Sequence, residues 1–351
     1  LITGGSGFIG AQSVQAALAC GFSVRSLDLA APNVAGHETL FQRVDVRDRE
    51  AVCRAVEAFA PTHILHLASD IDITISRLED FVTTIGGTAN IIEAARRLPH
   101  LKRIIHVSTQ FVCKPGKHPK SETDYDPYTL YGVAKAESER LFQASGLPFL
   151  ITRPTIIWGP RHPSFAQNIW RYIANGAYLH PVGLNPIMRC YGYVDNVAAQ
   201  SIALLDGDPG ARRVFYLGDD TIDYDMWADA FAVPLTGRRA RRIPLPLLAV
   251  VAAGGSALQA VGVRSPIDLG RYHRMTTSSA IDLSPTFAIV GQPTVDFDTG
   301  VRETLKWLVE TAPETYRMVG PAAAPASFQT KFMASTPAEL GGPGSSAPPP
   351  A

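Results

Sequence analysis

Over residues 1–153, short apolar runs rich in β-branched residues alternate with longer helical patterns, and this rhythm limits the chain more than any other feature. FSVRSLDL, LFQRVDV, HILHLAS, RIIHVST and PFLITRP read as strands, while 8–20, 48–60, 76–98 and 128–145 read as helices. Each pair of strands is separated by a connection too long for a hairpin. Such spacing calls for right-handed βαβ crossovers and a parallel sheet covered on both faces. The predicted class is therefore α/β, a doubly wound parallel sheet.

After residue 153 the rhythm gives way to loops, short helices and scattered prolines. Residues 154–312 are expected to form a smaller irregular C-terminal lobe, which binds substrate, intertwined with the first domain at the carboxyl edge of its sheet. Residues 321–351 are mostly Ala, Pro, Gly and Ser, too poor in large apolar groups to offset the entropy of ordering, and a disordered tail is expected. Residues 243–263 carry no charge and follow GRRAR, as a membrane span with a basic flank would. IPLP and AAGGS interrupt that stretch, so the expectation is a buried or lobe-capping helix, with peripheral membrane contact as the alternative. The chain opens at Leu1 inside an apparent strand, which suggests that a few native residues precede it.

The 32 basic and 32 acidic side chains cancel, so no global field draws the protein to nucleic acid or to an anionic membrane, and any anion must be held locally. Cys20, Cys53, Cys113 and Cys190 form no CxxC pair, and His162 and His180 lack metal-ligand spacing; neither a metal nor a disulfide is expected, and the cytoplasm suits the thiols. A local anion site is offered by TGGSGFIG. Gly4 permits a tight turn, Gly7 a close backbone approach to a pyrophosphate, and Gly10 close packing of helix on strand. Asp28, at the end of the next strand, is placed to accept from a ribose diol and would repel a 2′-phosphate, which favours NAD over NADP. Asp45 ends the third strand, where it could reach an adenine ring or cap the following helix. In YGVAK, Tyr131 and Lys135 are four apart on one helical face, so the ammonium is expected beside the phenol, lowering its pKa toward neutrality for use as a base.

TGGSGFIG, Asp28, the hydroxyl pair Ser108 and Thr109, YGVAK, RPTIIWGP and YGYVDNVA stand in the order and spacing of the extended short-chain dehydrogenases/reductases, the NAD-dependent epimerase/dehydratase family, which the chain thus resembles. The resemblance spans roughly residues 1–310 and implies a Rossmann sheet and NAD. It places the base on Tyr131, the grip on the nicotinamide ribose on Lys135, and the hydroxyl that bonds the reacting oxygen on Thr109, with Ser108 structural. It adds Phe8, Ile9, Val46, Leu67, Ala68 and Pro154 to the cofactor contacts, with Thr155 bordering the nicotinamide. The chain also departs from the family. Nucleotide-sugar dehydratases follow the hydroxyl with Asp-Glu, an acid and a base for expelling water; here Gln110 and Phe111 stand there and cannot move protons. Thr84 replaces a frequent Asn and Cys113 a Tyr.

Arg153 is expected to be a structural ion-pair partner, and Asp195 with Asn196 to cap a helix. Arg161, Arg171, Arg189 and Arg271 are candidate grips for a substrate pyrophosphate, with Gln110, Phe111, Arg189 and Arg271 the expected substrate contacts. The resemblance implies a nucleotide-sugar epimerase. An alcohol dehydrogenase of 3β-hydroxysteroid type is the alternative, and a non-catalytic NAD-binding sensor a third reading. A homodimer through the helices at 76–98 and 128–145 is also expected.

Overall fold

The computed structural model describes residues 1–320 other than 73, 74, 118, 184, 264 and 266; the expected tail at 321–351 lies outside the described residues. The nucleotide half comprises β1 (Ile2–Thr3), α1 (Phe8–Ala19), β2 (Ser26–Asp28), β3 (Phe41–Arg43), α2 (Arg49–Phe59), β4 (His63–His66), α3 (Val82–Ala95), β5 (Arg103–Val107), α4 (Leu130–Gln143) and β6 (Phe149–Pro154). The distal half adds β7 (Ile156–Trp158), α5 (Arg171–Ala174), β8 (Leu179–Val182), β9 (Met188–Tyr193), α6 (Val194–Asp206), β10 (Val214–Leu217), β11 (Asp220–Asp223) and α7 (Tyr224–Thr236). It ends with β12 (Arg241–Pro244), α8 (Leu245–Ala260), α9 (Leu269–Thr276), α10 (Ser284–Val290) and α11 (Phe297–Thr311).

Seven parallel strands form the central sheet in the order β10-β6-β5-β4-β1-β2-β3. The chain moves outward in both directions from the β1/β4 boundary, the switch point where such sheets open a crevice at their carboxyl ends. β4 is buried along its whole length, as the covering of both faces requires. The outermost strand, β10, and the helix α6, which packs on α1, come from beyond residue 154, so the two halves share one sheet.

Polar side chains set several helix starts. Asp48 caps α2 by accepting from the Ala51 amide; Asp45, the acid weighed for that cap, is paired with Arg47 instead. α3 begins at Val82 rather than 76, because the Asp70 carboxylate accepts from the Thr84 amide at 2.9 Å and fixes the first turn from outside the helix. Thr129 caps α4 through the Gly132 amide, two residues later than expected. Asp195 and Asn196 do not cap α6, whose N-cap is Tyr193 with no side-chain bond. Asp195 accepts from Gln12 on α1, and Asn196 bonds both the amide and the carbonyl of Val295, tying the distal half to the sheet.

A second core, distinct in composition, holds the distal half. Trp158, Trp170, Trp227 and Phe231 pack edge-on or tilted against one another between α7, α11 and the small β11-β9-β7 sheet. Of the two placements expected for α8 the buried one is excluded: only Leu248, Ala252 and Gly255 are buried, so the helix lies on the surface of the lobe. No helix among the described residues is long and apolar enough to cross a membrane.

Candidate active site

The glycine loop leaves β1 and enters α1 in a form that no larger residues could copy. Gly4 has φ +73°, and a Cβ there would lie 2.8 Å from the Ala68 amide nitrogen; a Cβ on Gly10 would lie 2.0 Å from the Gly4 carbonyl oxygen. Gly7, the N-cap of α1, is exposed, and neither a side-chain cap nor an acid occupies the first turn. The helix therefore presents its positive end, with the amides beside Phe8 and Ile9, uncompensated by any side chain. Asp28 ends β2 beside the loop, its carboxylate accepting from the amides of Ser6 and Ala30 at 3.0 Å each. A phosphate cradle with a carboxylate at the next strand end fits a dinucleotide with a free ribose diol. Leu67 and Ala68 line the close approach to Gly4, the Leu67 amide donating to the Thr3 carbonyl and the Ala68 amide to the Thr3 hydroxyl. Val46 is buried in the core with its carbonyl accepting from Asn90, and Pro154 ends β6. Asp45 remains at the rim, its carboxyl held below the usual range by the Arg47 side chain.

Thr109 follows β5 and caps a 3₁₀ turn at Gln110–Val112. The Phe111 carbonyl rests directly on Gly132, where a Cβ would approach within 2.3 Å, so α4 docks against this turn with Tyr131 alongside. Phe111 packs edge-on to both Tyr128 and Tyr131. Burial pushes the Tyr131 phenol up to about 12, and a hydrogen bond with the Thr109 hydroxyl pulls it the other way. The phenol is thus raised rather than lowered toward neutrality, and Lys135, 2% exposed, donates its Nζ to the Val107 carbonyl at 2.8 Å, at the end of β5. Burial lowers its pKa to about 8, with Glu139 and Asp70 opposing.

Behind these residues lies a layer of mostly bonded polar side chains, in which His106 Nδ1 and Thr152 Oγ1 are buried without a partner. Arg153 pairs with Glu139 at 2.7 Å, both buried, and Ser108 and Tyr125 also donate to that carboxylate. Arg153 and Ser108 are structural here, as the sequence indicates. Thr84 exchanges bonds with Asp70, its hydroxyl accepting from the Asp70 amide. His66 sits between the Thr3 and Thr88 hydroxyls and is kept neutral, its pKa lowered to about 3 by burial.

The four candidate arginines are not gathered at one place. Arg161, at φ +69°, reaches Gln12 on α1, and Arg171 is exposed on α5. Arg271 lies on α9, its amide held by Asp268. Arg189 differs: its guanidinium lies 4.5 Å from the centre of the Tyr224 ring, and its Nε and Nη2 are buried without a hydrogen-bond partner. Close by, the Tyr128 hydroxyl is also buried and unpartnered, its pKa pushed up to about 12 by burial while Arg274 and Arg189 oppose. Unpaired polar groups on the distal side of Tyr131 are costly in an isolated protein and mark where a polar ligand would bond. Tyr128 and Arg274 escape sequence reasoning: Tyr128 lacks the lysine four residues on that singles out Tyr131, and Arg274 stands in no motif. Among the described residues no cluster of His, Cys, Asp and Glu could hold a metal.

The model of the NAD dependent epimerase/dehydratase family matches residues 1–218, ending where β10 completes the sheet. A probable dTDP-glucose 4,6-dehydratase of Sinorhizobium fredii is 31% identical over 244 residues, covering 60% of this chain and 69% of that one. A 3 beta-hydroxysteroid dehydrogenase/Delta 5-->4-isomerase of Mycobacterium tuberculosis is 28% identical, over 56% of this chain and 57% of its own length. The crystal structure of a UDP-glucose 4-epimerase of Thermus thermophilus in complex with NAD superposes with a TM-score of 0.66 at 25% identity, covering 88% of this chain and 98% of that one.

Proposed function

The chain belongs to the NAD dependent epimerase/dehydratase family as an NAD-dependent enzyme of the extended short-chain type, and from that premise we propose that it epimerises a nucleotide-activated sugar through a transient ketone. The observation that carries this reading is the Thr109–Tyr131 hydrogen bond after β5, in the same parallel sheet whose β1 leads into the glycine cradle. NAD, held by the glycine cradle and Asp28, would supply reversible hydride acceptance at the carbinol carbon. Tyr131 would hold the proton of the reacting hydroxyl, Thr109 would orient the same oxygen, and Lys135 would hold the nicotinamide ribose. Gln110 and Phe111 wall the site without supplying the acid and base that water expulsion needs, which separates this chain from the dehydratase it resembles. Arg189 and Arg271 would grip the pyrophosphate from the distal half, residues 154–312, with Tyr128 adding its hydroxyl from residues 1–153, which also carry the cofactor and Tyr131.

A second reading, oxidation of an apolar alicyclic alcohol, is favoured by the exposed apolar α8 and by the steroid dehydrogenase relative. α3 and α4 pack together and leave Val82 and Leu130 exposed, which suits a homodimer built on these two helices; four free thiols suit the cytoplasm. The test is incubation with UDP-, GDP- and dTDP-sugars, following stereochemistry by NMR and reduced nicotinamide by absorbance. Interconversion of two sugars without net reduction of NAD is expected. Accumulating NADH, or turnover of sterol alcohols alone, would overturn the epimerase reading.

A further inference from the structure

A surface helix of a water-soluble domain ordinarily turns its apolar stripe inward and its charges outward. α8 has no charged residue, and its solvent side carries Leu247, Val250, Val251 and Leu258, continued by Val261 at its C-terminal cap. These positions follow the i, i+3, i+4 spacing of a single stripe, and Val250 and Val261 are 70% and 74% exposed. Five large apolar side chains exposed on one stripe mark an interaction face.

The approach to the helix is cationic. Arg238, Arg239, Arg241 and Arg242 are exposed in the segment that becomes β12 and runs straight into α8. Arg242 is bonded to Asp225 and Asp229, and Arg239 lies 3.6 Å from Asp229, so four arginines face two carboxylates and leave a net charge of +2. Arg238, Arg239 and Arg241 also line a cleft of about 670 Å³, walled in part by Asn175 and Thr236. A protein partner on the stripe would leave this basic cleft unexplained. A sheet of lipid, with anionic phosphates above an apolar layer, matches both features.

We propose that α8 seats the protein on an anionic lipid surface, the stripe entering the boundary of the acyl chains and the arginine cleft taking lipid phosphates. The helix lies on the membrane and does not cross it. α9, packed on α8, carries Arg274 toward Tyr128, so the distal side of the candidate site faces the same neighbourhood.

The test is co-sedimentation of the 351-residue chain with vesicles of phosphatidylcholine and phosphatidylglycerol at roughly 7:3, and with phosphatidylcholine alone. Binding to the anionic vesicles is expected, on the order of tenfold weaker without the anionic lipid and falling with salt. V250E/L258E should lose binding by at least about tenfold and R238E/R241E by several fold, both keeping the wild-type melting temperature and NAD affinity. Those two controls read folding and cofactor binding without reference to the sugar, so failure of the catalytic reading leaves this test intact. Wild-type protein that stays in solution with both vesicles, or V250E/L258E that sediments like wild type, would overturn the proposal. So would a wild-type dimer in lipid-free buffer that V250E/L258E splits to monomer, since the stripe would then be covered by a second copy.

Discussion

The cofactor side and the substrate side of this molecule are built on opposite principles. Around Thr3, His66, Asp70, Glu139 and Arg153 most polar groups are bonded within the protein, and the glycine loop is fixed by backbone contacts too close for any side chain. Beyond Tyr131, by contrast, Nε and Nη2 of Arg189 and the hydroxyl of Tyr128 are buried without partners on half-buried side chains, and α8 turns apolar groups to solvent. A dinucleotide common to many reactions can be met by a finished cradle. A variable substrate is met by side chains left in waiting, which is where members of one fold diverge.

The largest expected effect lies at the junction of the two sides. Tyr131→Phe should lower kcat by about 10²–10⁴-fold while leaving NAD affinity within a few fold, as loss of a proton-holding group at an intact cradle requires. Stopped-assay rates and NAD titration check it; a variant with near wild-type turnover would move the chemistry elsewhere.

Next comes the bonded interior. Glu139→Gln strips the buried Arg153 of its counter-charge and should cost about 3–5 kcal/mol of unfolding free energy in urea. A loss under about 1 kcal/mol would show that the cofactor side tolerates unpaired charge as the distal side does.

Lys135 gives a pH test of the same interior. Burial holds its pKa near 8 in the folded chain against 10.5 ordinarily. Between those values the unfolded chain binds more protons, so stability rises with pH across the window. From pH 8 to about pH 9.5 the rise should be roughly 2 kcal/mol in the wild type and absent in Lys135→Met, taken as the difference between the two. Equal slopes would place the ammonium in solvent.

The smallest effect tests the open side. Arg189→Leu should raise KM by about tenfold with kcat little changed and only a small fall in melting temperature, because the buried Nε and Nη2 have no hydrogen bond to lose and what goes is the contact with the Tyr224 ring and the bond to the Tyr191 hydroxyl. A marked drop in stability would make Arg189 part of the distal core instead.

Much of the cofactor side was legible because backbone geometry dictates it: Gly4 and Gly10 have to be glycine, and Asp28 follows from the strand rhythm. Seven parallel strands were reachable from the alternation except β10, whose place beside β6 is a long-range choice. The i, i+4 rule put Tyr131 and Lys135 on one face and stopped there. Where each head group points depends on packing, and the ammonium found the Val107 carbonyl while the phenol found Thr109. Asp70 was invisible as the anchor of α3 because its partner lies fourteen residues on. The absence of charge in α8 signalled burial, yet burial needs a neighbour, and only one side of that helix has one.

The central claim is that hydride leaves and returns to one carbon under the control of Tyr131 and Thr109. The direct measurement is epimerisation of a nucleotide sugar deuterated at the reacting carbon, with mass and NMR analysis of the product. The account predicts product of inverted configuration that keeps the deuterium, and no product from Tyr131→Phe. Deuterium lost to solvent, or carried off in free reduced nicotinamide, would contradict it.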